Sequence, residues 1–280
     1  MNSQPDPLRV LFLASEAAPL IKVGGLGDVA GSLPVALQSL APPDWLGPRL
    51  DVRLVLPYHT VIHKQIKDPQ LIATFDVSRQ SGRDQAQVYL TSINGLSVYL
   101  INGAPITPDD LVYSRDPDLD GRKYVFFSLA AVKMIEHLDW KPDVLHANDW
   151  HTGAALYSLA LRSNEVPEFS SIRKIISVHN LPFMGKDAVQ AMRDYKIPPF
   201  TQPPLPEWAE LFPLPLGMLS ADHIVAVSPG YADEILTPEF GCGLQDFLLT
   251  RTEHIDGILN GLDQETWDPS RDGLLQFPYT

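Results

Sequence analysis

Five short stretches of this chain are apolar without alternation: "RVLFLA" (9–14), "VRLVLP" (52–57), "KPDVLHA" (141–147), "KIISVH" (174–179) and "HIVAVS" (223–228). A strand with one wet face alternates apolar and polar residues. A run that does not alternate needs cover on both faces, the situation of a parallel strand between two helical layers. Helical repeats lie between the runs. Val29, Leu33, Leu37 and Leu40 recur at helical spacing, and Pro34 among them removes one backbone donor, which predicts a kink. Tyr124, Phe127, Ala131, Ile135 and Leu138 make a second stripe, with a helix start expected near Gly121. Shorter helices are expected over 153–162 and 230–236. Residues 71–101 have a different texture: "LIATFDVS", "QAQVYLTSI" and "LSVYLI" read as strands, with Asn94-Gly95 as a hairpin turn. The order predicts an α/β fold, a doubly wound and mostly parallel sheet with a β-hairpin insertion. No repeat or linker divides the chain, so residues 1–280 are expected to form one domain.

Charge narrows the partners. A formal net charge of −13 sets the global field against nucleic acid and anionic membrane, and neither is expected to bind. An anionic ligand has to be met by local geometry. The single cysteine, Cys242, excludes an internal disulfide and fits a reducing compartment. The start, "MNSQPDPL", lacks the basic and apolar regions of a signal peptide, and no apolar run reaches the ~18 residues of a membrane span. A soluble, cytoplasmic protein is expected.

In open parallel sheets, ligands bind beyond the carboxyl ends of the strands. Polar residues gather there: Ser15 and Glu16 after the first run, Asn148, Asp149 and His151 after the third, His179 and Asn180 after the fourth, Ser228 after the fifth. The loop "SEAAPLIKVGGLGDVAG" (15–31) adds Lys22 and the glycines Gly24, Gly25 and Gly27, which permit close backbone approach and positive φ. Asp28 is placed to cap the helix that follows. Free N–H groups at that helix start attract a phosphate or sugar oxygen. Its spacing is neither G-x-G-x-x-G nor a P-loop, and as a lone feature it fits a tight turn equally well. In "HANDWHTG" (146–153), Asp149 serves equally as a helix cap, and Trp150 suits packing as well as a ligand platform. The spacing of its histidines does not match helical metal pairs, and no metal is expected. No Gly-x-Ser-x-Gly elbow supports a serine nucleophile.

Together these motifs resemble the N-terminal signature of bacterial glycogen synthases and plant starch synthases, the family 5 retaining glucosyltransferases. "KVGGLGDVAGSLPVAL", "HANDWHTG", "SVHNLPFMG", "ADHIVAVSPGYADEILTPEFGCGL" and "GILNGLDQETWDP" follow in the family's order. The resemblance implies a GT-B fold, two Rossmann-like domains facing across a cleft, with these residues as the first and the second absent from 1–280. It implies Glu16, Asp149, His179 and Asn180 as the catalytic set, with His179 and Asn180 against the transferred glucose. Lys22 and the backbone at Gly24 and Gly25 would bind the donor, and Trp150 and His151 would line the acceptor cleft. The implied donor is ADP-glucose, with UDP-glucose as the other choice, and the acceptor is the non-reducing end of an α-1,4-glucan. Transfer would proceed with retention, the departing phosphate helping to deprotonate the acceptor, with neither metal nor cofactor. A separate C-terminal GT-B domain is the implied protein partner. Two segments depart from the pattern: "RDPDLDGRKYVFF" replaces a stretch with a tyrosine and an asparagine, and "FPLPLGMLSADHI" lacks the usual lysine. Residues 1–280 alone are therefore expected to have little or no synthase activity. The alternative is a stand-alone, non-catalytic glucan-binding or regulatory protein derived from the same domain.

Overall fold

The computed structural model describes residues 6–41, 45–106, 111–263 and 267–280; positions 264–266 of the last family motif lie outside them. The unalternating runs become β1 (Leu8–Leu13), β2 (Leu50–Pro57), β6 (Val144–Asn148), β7 (Arg173–Val178) and β8 (His223–Ala226). Between β2 and β6 come β3 (Gln70–Arg79), β4 (Gly82–Ile93) and β5 (Leu96–Asn102), and β9 (Ile255–Gly257) follows β8. The helices are α1 (Gly25–Gln38), α2 (Thr60–His63), α3 (Pro117–Met134), α4 (Trp150–Arg162), α5 (Val189–Asp194), α6 (Pro213–Ser220), α7 (Pro229–Glu234) and α8 (Gln245–Leu249).

Among the described residues the strands form one sheet in the order β3-β4-β5-β2-β1-β6-β7-β8-β9. All pairings from β5 to β9 are parallel. Residues Leu11 and Leu13 of β1 point to one face, joining Val55, Tyr99 and Ile101 in a core with Tyr124 and Phe127 of α3 and Leu156 of α4. Val10 and Phe12 point to the other, joining Val52, Leu54, Val98 and Leu100 in a core closed by Ala30 of α1. Period-two alternation is present, and both sides of it are buried, which is why the sequence shows none.

The hairpin is part of the sheet's edge. Asn94 (φ 50) and Gly95 (φ 80) turn with two positive φ angles, the requirement of a tight type I′ turn. It joins β4 to β5, and β5 is stitched parallel to β2. Helix α3 starts earlier than Gly121. Pro117 occupies its first position, where no N–H is needed, and the Asp116 carboxylate accepts from the Asp118 amide. Gly121 serves packing instead: a Cβ there would lie 2.8 Å from Ala188 Cα. Pro34 is buried inside α1, which runs on to Gln38. No helix of the described residues is long and apolar enough to cross a membrane.

Candidate functional site

The chain winds outward from β1 to β2 and β5, then crosses back to lay β6 against the other side of β1. The connections leaving β1 and β6 therefore part between these two strands, and a crevice opens at their carboxyl ends. Ser15 and Glu16 leave on one side of it, Asp149, Trp150 and His151 on the other.

Glu16 is buried and works on the glycine loop. Its carboxylate accepts from the amides of Val23 and Gly24, the latter at 3.1 Å, and from Tyr113 Oη at 3.0 Å. This clamp holds the turn into α1, whose N-terminus no side chain caps. The expectation that Asp28 caps this helix is corrected: Asp28 lies in its first turn, and its carboxylate is 2.7 Å from Lys22 Nζ. The Lys22 charge thus has a partner, but both side chains are about two-fifths exposed (43% and 39%), and such a pair separates at little cost, about 0–1 kcal/mol. The glycines also differ from expectation. The loop uses no positive φ. A Cβ at Gly31 would strike the Ala18 carbonyl oxygen at 2.4 Å, whereas one at Gly25 would meet nothing within 4 Å. Gly31 is needed for packing within the chain, while Gly25 leaves the loop backbone open.

Across the crevice, Asp149 holds an unusual backbone (φ 55, ψ −170) for a residue with a side chain, a conformation costing about 1–3 kcal/mol. It sits at the N-cap position of α4 without capping it. Its Oδ1 instead accepts from the amides of His179 at 2.8 Å and Asn180 at 3.3 Å. This corrects the capping reading: the carboxylate fixes the chain as it leaves β7. Burial pushes the Asp149 pKa up, against the opposing pull of His179 and the two amides.

The His179 ring has its proton placed by its neighbours. Asn148 donates through Nδ2 to the Leu13 carbonyl (2.9 Å), so its Oδ1 faces His179 Nε2 at 3.0 Å. A carbonyl oxygen only accepts, so Nε2 carries a hydrogen and Nδ1 is the basic nitrogen of the neutral ring. Burial lowers the His179 pKa, partly offset by Asp149. Asn180 is exposed beside it.

Tyr113 joins the two sides, and sequence reasoning passed over it. Its hydroxyl meets Ser15 Oγ and Glu16 Oε1, each at 3.0 Å, and its ring lies 5.1 Å from that of His151. Burial raises its pKa well above the usual range. No sequence signal marks it, because its neighbours here are brought together only by the fold. The Tyr113→Phe variant is expected to lose about 1 kcal/mol of stability, the net value of its hydrogen bonds, read as a lower urea midpoint at unchanged slope. His151 itself is buried between Tyr124 and Trp150, at 4.6 and 4.3 Å between ring centroids. Ser228 stays apart from the cluster as the cap of α7, accepting from the Tyr231 amide. Among the described residues no group of three or more histidine, cysteine or acidic side chains is arranged to hold a metal.

The nine-stranded, mostly parallel sheet, with a glycine loop clamped by one buried carboxylate after β1 and a histidine fixed by a second after β7, is one Rossmann-like half of a GT-B fold. The same fold is seen in the catalytic domain of starch synthase IV from Arabidopsis thaliana, solved bound to ADP and acarbose, with a TM-score of 0.82, 24% identity, and coverage of 98% of this chain and 56% of that one. The chain belongs to the family described as the starch synthase catalytic domain, whose model matches residues 9–250. It is 34% identical to the glycogen synthase of Aeromonas salmonicida (strain A449) over 98% of this chain and 56% of that protein. It is also 34% identical to the glycogen synthase of Oceanobacillus iheyensis over 96% of this chain and 54% of that one. The chain spans about half the length of the curated relatives it matches.

Proposed function

We propose that these residues form the acceptor-side half of a retaining glucosyltransferase that passes glucose from ADP-glucose to the non-reducing end of an α-1,4-glucan. The observation that carries the reading is the arrangement at the switch point, where both buried carboxylates are committed to backbone amides. Glu16 holds Val23 and Gly24, and Asp149 holds His179 and Asn180. Glu16 is engaged on both oxygens and Asp149 on Oδ1 by two backbone amides, which commits them to holding backbone and lowers their nucleophilicity. Their work is positioning. Glu16 consumes the Val23 and Gly24 amides itself and so fixes the loop, leaving the Gly25 backbone and Lys22 to meet the donor's phosphates, and Asp149 sets His179 and Asn180 against the sugar. The neutral His179 ring accepts a hydroxyl hydrogen at Nδ1. The departing phosphate is left as the base for the acceptor hydroxyl. The ADP bound to the plant relative supports an adenine nucleotide over UDP-glucose.

A donor site needs more than one cation against a diphosphate, and the glycine loop supplies one, Lys22. A polypeptide of residues 1–280 alone is accordingly expected to bind maltoheptaose and to bind ADP-glucose weakly. It should transfer glucose to glycogen at background rates. Lys22→Ala is expected to weaken ADP-glucose binding about tenfold, one charge-assisted contact, and to leave maltoheptaose binding unchanged. Titration calorimetry reads both. Failure of the unmodified chain to bind either ligand would sink the reading, and brisk transfer by residues 1–280 would sink its assignment as a half-site.

A further inference from the structure

The chain leaving β7 is held at three consecutive amides by side chains from two other elements. Those of His179 and Asn180 donate to Asp149 Oδ1 at 2.8 and 3.3 Å. That of Leu181 donates to the hydroxyl oxygen of Tyr231, on α7, at 2.8 Å. Leu181 is fully buried, so water cannot reach its N–H, and removal of the phenol oxygen would leave a buried donor unpaired. The phenol is suited to this task. Burial raises the Tyr231 pKa, with the Leu181 amide opposing and the charge of Asp149 assisting, so the hydroxyl stays neutral. Its ring packs against the core shared by α3 and α4.

The position of Tyr231 is set by the end of the sheet. Ser228 caps α7 and accepts from the Tyr231 amide at 3.0 Å. Strand β9, parallel to β8, presses on the start of that helix. A Cβ at Gly257 would lie 2.3 Å from Pro229 Cα and 2.3 Å from the Ser228 carbonyl oxygen. Backbone against backbone leaves α7 no room to slide toward β9. A line of contacts therefore runs from β9 through Ser228 and Tyr231 to the residues after β7, while Asp149 reaches the same residues from α4. Asp149 alone would leave the loop free to pivot on its Oδ1. The third amide, held from a separate support, removes that freedom.

We infer that Tyr231 is a positioning residue, whose hydroxyl holds Leu181 so that His179 and Asn180 keep the orientation in which they meet the transferred glucose. This rests on the sugar-facing role proposed above for those two residues, and the experiment separates the two. ADP-glucose and ADP are titrated by NMR into the 1–280 chain and into its Tyr231→Phe and Ser228→Ala variants, and amide exchange is followed in the same samples. In the unmodified chain the glucosyl group is expected to add affinity, so that ADP-glucose binds more tightly than ADP. Tyr231→Phe keeps the ring and removes only the acceptor. It is expected to speed exchange of the Leu181 amide about tenfold, the worth of one hydrogen bond, and to leave the sheet amides of Ile176 and Leu11 unchanged. It should also abolish the advantage of ADP-glucose without changing the affinity for ADP. Ser228→Ala, which keeps the hydroxyl but loosens α7, is expected to fall between. Faster Leu181 exchange with the preference for ADP-glucose intact would show a bond of structural value only, and overturns the inference. Acceleration of Leu181, Ile176 and Leu11 together overturns it as well, because the variant would then be loosened throughout. If the unmodified chain shows no preference for ADP-glucose over ADP, the sugar-facing role of His179 and Asn180 fails and the inference falls with it.

Discussion

The Gly153→Val variant is expected to lose at least about 3 kcal/mol of stability, the upper end for overpacking a core, because its new side chain meets backbone on the facing helix. A Cβ at Gly153 would lie 2.3 Å from the Pro213 carbonyl oxygen and 2.8 Å from its carbon. The contact is mutual: a Cβ at Gly217 would lie 2.7 Å from Gly153 Cα. Helices α4 and α6 therefore touch backbone to backbone, and no side chain can swing aside to make room. The effect would reach the site. The first turn of α4 carries Trp150 and His151, while the start of α6 is tied to the loop after β7 by the Leu214 amide on the Met184 carbonyl (3.2 Å). Prising the helices apart moves the Asp149–His179 pair and the loop after β7 together. Urea unfolding measures the loss, with Gly153→Ala falling between the two. A valine variant within about 0.5 kcal/mol of the unmodified chain, the range of neutral surface changes, would show that the helices can separate freely. Gly153 closes the "HANDWHTG" motif, and its requirement is packing, independent of any ligand.

That distinction shows what the sequence could carry. The sheet was legible because burial on both faces leaves a plain signature, and five runs became five parallel strands. The Asn94-Gly95 turn was legible because few residue pairs adopt two positive φ angles. Strand β9 was not: three residues, Ile255, Asp256 and Gly257, are too few to show periodicity. At the site, the positions of Glu16, Asp149 and His179 at strand ends were legible, but the partners of their side chains were not. Asp149 looked like a cap because it precedes a helix. Its φ of 55 turns the carboxylate toward β7, and that angle depends on tertiary contacts. Asp28 was misread as a cap for a similar reason, since the helix begins three residues before it. Tyr113 belongs to no motif. Only the folded chain brings it to Glu16, 97 positions away in sequence.

Acid is expected to unfold this protein earlier than carboxylate titration alone would. Burial lowers the His146 pKa to about 4, helped by the charge of His179. Burial lowers that of His151 to about 3, helped by Lys123, His179 and His59. His151 Nδ1 is buried without a hydrogen-bond partner among the described residues, so a proton added there would have nothing to meet. In the unfolded chain both rings titrate near about 6.5. Below that pH the unfolded state binds a proton at each of these two rings that the folded state refuses, and stability falls as pH falls, with a slope from this pair approaching about 2.7 kcal/mol per unit; His179, whose pKa burial also lowers, adds to it in the same direction. The steep window ends near pH 4, where His146 protonates in the folded protein as well. The slope then halves until His151 follows near pH 3. Asp149 acts in the opposite sense. Its raised pKa lets the folded state take up a proton before the unfolded one does, which softens the loss between its folded pKa and about 3.9. A domain has only about 5–15 kcal/mol in total, so the histidines can remove a large part of it before most carboxylates change charge. Unfolding free energies from urea titrations at pH 7.5, 6.5, 5.5 and 4.5 test this. A decline that begins near 6.5 is expected, with a shallower slope in His146→Gln and His151→Gln whatever their absolute stabilities. Equal stability at pH 7.5 and 5.5 would mean that the folded protein accommodates both imidazolium ions, and the neutral state argued for His146 and His151 would not hold in solution.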